Sequence, residues 1–144
     1  MIEDDTIKLL RECDAGIKMG VASIDDVLDY VQNASFRESL TECKKKHEQL
    51  KEEILHLLKA YHDDGKNPNP IAKGMASVKT DLKLTMRESD QTIADLITDG
   101  CNMGIKSLSK YLNQYKAAEK QAKDIAKKLI RIEEDLLLEI RAFL

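Results

Sequence analysis

The chain has no tryptophan, and only 4% of its 144 residues are aromatic. Single-stranded nucleic acid is gripped by stacking bases on aromatic rings, and phosphates are held by an excess of positive charge. With few rings and a net charge of −3, no nucleic-acid partner is expected. No apolar run approaches the ~18 residues that a membrane span requires, so no membrane partner is expected either. The opening Met1-Ile2-Glu3-Asp4-Asp5 is acidic and has neither the basic nor the apolar region of a secretion signal. A soluble, cytoplasmic protein is the expectation. Cysteine is scarce: Cys13, Cys43 and Cys101 form no Cys-x-x-Cys pair, and an odd count in such a chain implies reduced thiols rather than a disulfide framework. The two prolines, Pro68 and Pro70, sit together and leave long stretches free for helices.

What is present is charge, at 34% of residues, combined with abundant Ala, Leu, Ile, Lys and Glu, a composition of long helices. Residues 1–144 make one domain. Ile7, Leu10, Asp14, Ile17, Val21, Ile24, Leu28 and Val31 advance in steps of three and four, the stripe of a helix buried on one side. A short link, Asn33-Ala34-Ser35, follows, with Ser35 as the predicted N-cap. A second stripe runs through Phe36, Leu40, Cys43, His47, Leu50, Ile54, Leu57 and Tyr61, so residues 1–62 form an antiparallel hairpin. Residues 62–70 carry the loop signals Gly65, Pro68 and Pro70. Residues 71–86 read as a helix through Ile71, Met75, Val78, Leu82 and Met86, within a crossover segment spanning 63–88. Ser89 is the predicted cap of a third bundle helix, through Ile93, Ile97, Cys101, Ile105, Leu108 and Leu112. The fourth covers about 117–143, with Ile125, Leu129, Ile132, Leu136, Ile140 and Phe143 inward, completing a second hairpin over 89–144.

The two hairpins share a motif. Gly16, Met19, Gly20 and Ser23 recur 84 residues later as Gly100, Met103, Gly104 and Ser107. This predicts an internal duplication with a pseudo-twofold axis. Glycine inside a helix costs roughly 1 kcal/mol relative to alanine, so four at matched sites imply a packing reason: close approach where the first and third bundle helices cross. Space for a ligand is the alternative.

Cys13-Asp14-Ala15-Gly16 with Gly20, Asp99-Gly100 with Gly104, and the order hairpin, crossover helix, hairpin together resemble a family of bacterial ferritin-like four-helix bundles, catalogued mainly as a domain of unknown function. Ala15 departs from the family's Asp-Gly pair, which Asp99 keeps. The resemblance implies an all-α, ferritin-like bundle with a crossover between its second and third long helices. It implies no activity.

Bundles of this shape hold a di-metal centre with a Glu from each of two helices and a Glu-x-x-His from each of the others. Here His47, His56 and His62 all precede residue 63, so the last helix has no histidine to offer. Glu53-Ile54-Leu55-His56 has the spacing but the wrong frame, because Ile54 and Leu57 take the inward positions. His47 points inward, yet Lys44 stands three residues before it. No standard di-iron site and no cofactor are expected. The remaining metal candidates are His47, Cys43 and Cys101, with Glu53 and His56 behind them, for iron or zinc. A thiol beside an imidazole can also ionise and react; the simpler reading is a hydrogen-bonded core histidine among small apolar thiols.

On the last helix, Lys116, Lys120, Lys123, Lys127 and Arg131 precede Glu133, Glu134, Asp135 and Glu139. This is read as a solvated outer face, or as a surface complementary to its own antiparallel copy. The function expected from sequence is a non-catalytic bundle acting as a homodimer or with a protein partner. The alternatives are a metal-binding or oxidoreductase-type ferritin relative with an altered site, and a small-ligand binder.

Overall fold

The computed structural model describes residues 2–68 and 89–144. They form four helices: α1 (Ile2–Leu28), α2 (Ala34–Lys59), α3 (Asp90–Gln114) and α4 (Lys120–Ile140), closed by a 3-10 turn at Arg141–Phe143. There is no strand among the described residues, and no helix there is long and apolar enough to cross a membrane.

Hydrogen bonds at the two ends fix the helix directions. Asp90, the first residue of α3, accepts the backbone N–H groups of Gln32 and Asn33, each at 2.9 Å. The start of α3 therefore lies beside the end of α1. At the other end, Ala117 N–H donates to Asp5 (3.0 Å) and Glu119 N–H to Thr6 Oγ1 (2.8 Å), so α4 starts beside the start of α1. Thus α1 and α4 run one way and α2 and α3 the other. Helix α1 packs on all three of its companions, and α4 also packs on α2 and α3. Helix α2 ends at the opposite end of the bundle from the start of α3. The helix expected over 71–86 lies outside the described residues.

The caps show why the helices start where they do. Ser89 caps α3 as expected, its Oγ accepting Thr92 N–H at 3.2 Å. Asn33, not Ser35, caps α2: its Oδ1 accepts Phe36 N–H at 3.0 Å. Asn33 is extended (φ −73°, ψ 125°), as an N-cap must be, whereas Ser35 is already inside the helix. Helix α2 stops in a Schellman turn. His62 N–H reaches Lys59 C=O, Asp63 N–H reaches Leu58 C=O, and His62 takes the left-handed conformation at φ 57°. His62-Asp63-Asp64 thus serves as a turn.

The core has two layers. One gathers Leu9, Leu10, Cys13, Ile17, Leu50, Ile54, Leu58, Leu108, Ile125 and Leu129. The other gathers Ile24, Val27, Phe36, Leu40, Cys43, Ile93, Ile97, Cys101, Leu136 and Ile140, and there Phe36 stacks on Phe143 at 4.7 Å. Each large side chain fully buried in these layers contributes about 1.5–3 kcal/mol. Between the layers lie polar groups.

Candidate functional site in the bundle centre

His47 follows Leu40 and Cys43 on the buried stripe of α2 and is 2% exposed. Glu133 is 8% exposed on α4 and faces it, with His47 Nε2 3.9 Å from Glu133 Oε1. Two glycines make the pair fit. A Cβ at Gly20 of α1 would stand 3.0 Å from His47 Nε2, and a Cβ at Gly104 of α3 would stand 2.5 Å from Glu133 Oε2. The glycine repeat thus admits one polar side chain per hairpin: His47 beside Gly20, Glu133 beside Gly104. The expected backbone approach between α1 and α3 is not its role. Gly20 and Gly104 face side chains of α2 and α4, and a Cβ at Gly16 or Gly100 would meet nothing within 4 Å among the described residues.

The imidazole is held from its other side. His47 Nδ1–H donates to the Cys43 carbonyl at 2.8 Å, and Cys43 Sγ lies 3.5 Å from the same nitrogen. Among the described residues, His47 Nε2 and Glu133 Oε2 have no hydrogen-bond partner. Burial works against charge on His47, but the Cys43 side chain and the Glu133 carboxylate outweigh it and push its pKa up to about 10. Burial pushes Glu133 above its usual carboxylate value, and His47 partly offsets that rise. At neutral pH His47 is an imidazolium facing Glu133.

Glu133 corrects the sequence reading, which put it on the outer acidic face and Ile132 inward. Ile132 is only partly buried, and the inner stripe runs Ala122, Ile125, Leu129, Glu133, Leu136, Ile140. A signal was present. His47, Leu50 and Ile54 lie 86 residues before Glu133, Leu136 and Ile140, so aligning the second helices of the two hairpins pairs His47 with Glu133.

The other candidates divide. Cys101, 7% exposed on α3, shares a core layer with Cys43, and burial followed by the charges of Glu133 and Cys43 raises its thiol pKa. Cys13 lies in the other layer, its thiol pushed up to about 12 mainly by burial. Both stay protonated at neutral pH, and it is the thiolate that reacts. Glu53 and His56 are not brought to the centre: Glu53 lies 4.0 Å from Lys128 at the surface, and His56 is exposed. Among the described residues no group of three His, Cys, Asp or Glu side chains is arranged to hold a metal ion. The cleft between α2 and α4, at Cys43, Lys46, Ile132 and Leu136, encloses about 10 Å³, room for about one water.

Asp14, the polar residue on the α1 stripe, has a separate role. It is fully buried, accepts Lys66 N–H at 2.9 Å and pairs with Lys18 at 2.7 Å. Gly65 passes over it at φ +93°, and a Cβ there would come within 2.4 Å of Asp14 Oδ2. Arg11 to Asp63 at 3.0 Å and Lys66 to Glu12 complete the contact. Asp14 thus pins the chain leaving α2 onto α1, away from His47.

Comparison with protein-family models, with curated proteins and with solved structures finds no match. Fold and site define an all-α four-helix bundle with a buried histidine–glutamate pair at its centre.

Proposed function

We propose that this chain is a non-catalytic, ferritin-like bundle that acts through contact with another protein surface. The observation carrying this reading is the bundle centre. Where a ferritin-like protein would place metals, His47 and Glu133 occupy the space that Gly20 and Gly104 leave. An imidazolium opposite a carboxylate balances its charge without a metal, and the Cys101 thiol in the adjoining layer, its pKa raised by burial, offers no nucleophile. The helix directions and the paired glycine environments support the ferritin-like and duplicated character of this reading.

A second reading, a metal binder with an altered site, is favoured by one feature. His47 Nδ1–H is fixed on a carbonyl while Nε2 has no hydrogen-bond partner among the described residues, the way a metal-ligating histidine is oriented. Elemental analysis after anaerobic challenge with ferrous iron and with zinc separates the two. No bound metal and an unchanged thermal midpoint are expected. Stoichiometric metal that disappears in His47→Ala overturns the first reading.

A further inference from the structure

The outer face of α4, opposite its buried stripe, carries Lys120, Asp124, Lys127, Arg131, Glu134, Asp135 and Leu138. All are exposed except the partly buried Asp124, and Leu138 is 58% exposed. Lys120 reaches Asp124 at 3.4 Å. Lys127, Arg131, Glu134 and Asp135 have no ion pair among the described residues. Lys127 and Arg131 stand four residues apart, where like charges repel. The face is thus basic towards the start of α4 and acidic beyond Arg131, with Leu138 bare in the acidic half.

We propose that this face pairs with the same face of a second copy of the chain. The two α4 helices run antiparallel about a twofold axis centred between Ile132 and Glu133. In this register Arg131 of each copy meets Glu134 of the other. Asp124, the acidic exception in the basic half, meets Arg141, exposed in the 3-10 turn that follows α4. The aliphatic stem of Lys127 covers Leu138. Both of these charge pairs join opposite signs, and an isologous contact uses each pair twice. A single helix face buries less than the ~1,200 Å² at the low end of stable interfaces, so the contact is transient and depends on concentration and salt. The inference rests on the reading of the chain as an interaction bundle and names its surface and partner.

The test is sedimentation equilibrium of the full chain over a wide concentration range, at about 0.02 M and about 0.5 M salt. At low salt the weight-average mass should climb towards twice the monomer value, and high salt should suppress the climb. Arg131→Glu alone and Glu134→Arg alone should each weaken association tenfold or more. The double swap R131E/E134R should restore it, because each new Glu then faces a new Arg. The substituted residues are exposed, and circular dichroism checks that each variant folds. A wild type that stays monomeric throughout overturns the proposal, as does association that ignores both single reversals. Neither result bears on the metal assay above, so failure of this surface and failure of the interaction reading are distinguishable.

Discussion

His47 Nε2 stands 3.9 Å from Glu133 Oε1, and both α1 and α3 present glycine to the pair. One charged group from each hairpin is thereby enclosed between two apolar layers. Breaking a buried pair leaves an uncompensated polar group, whereas replacing both partners removes the desolvation cost with them. His47→Ala and Glu133→Ala should each cost about 3–5 kcal/mol of stability. The double replacement His47→Leu with Glu133→Met should recover most of that loss. Urea denaturation of the four proteins checks this, and additive losses in the double variant would show that the two residues are not coupled.

Stability should fall in alkali. The folded His47 pKa, about 10, stands above the ordinary histidine value of about 6.5. Its contribution is complete below about 6.5 and is lost as pH rises through about 10. Glu133 is also raised, so it too favours the folded state more at lower pH. The thermal midpoint should be several degrees lower at about pH 10.5 than at pH 7, and the difference should shrink in His47→Leu. By NMR, the His47 ring should not titrate between pH 6 and 8.

The four repeated glycines should respond in two groups. Alanine at Gly16 or Gly100 meets no atom of the described residues within 4 Å and should stabilise by up to about 1 kcal/mol through helix propensity. Alanine at Gly20 presses on the imidazole ring, and at Gly104 on the Glu133 carboxylate. Those two should destabilise, by about 1–3 kcal/mol. Four thermal melts decide the matter; a uniform gain would mean that the buried pair moves aside freely.

Asp14→Ala should release the chain that follows α2. The substitution removes the acceptor of Lys66 N–H and the partner of Lys18. Limited proteolysis should then cut residues 63–68 about tenfold faster than in the parent, in line with a local loss of roughly 1–2 kcal/mol. Gly65→Ala should have the same effect, since φ +93° and the nearby Asp14 carboxylate both oppose a side chain.

Much of the architecture was legible along the chain. Steps of three and four give the four stripes, and Ser89 with its helix reads directly from local chemistry. His47 was legible as an inward residue, because Leu40, Cys43, Leu50 and Ile54 share its face. Asn33 was missed as a cap because Asn33 and Ser35 both carry a capping oxygen, and only backbone conformation separates them. Glu133 was missed for a sharper reason. It differs from Ile132 by one position, about 100° of rotation, and a carboxylate next to Glu134 and Asp135 reads as part of a solvated run.

The sequence by itself determined the helices, the pairing of neighbours into hairpins, and the absence of a histidine from the last helix, since these depend on residues near one another in the chain. The tertiary structure alone decided what the glycines are for and where Glu133 goes. A carboxylate enters a core only where another helix leaves room and another charge faces it. Gly104 lies 29 residues before Glu133, and His47 lies 86 before it. Nothing along one helix records that these three meet; the fold brings them together.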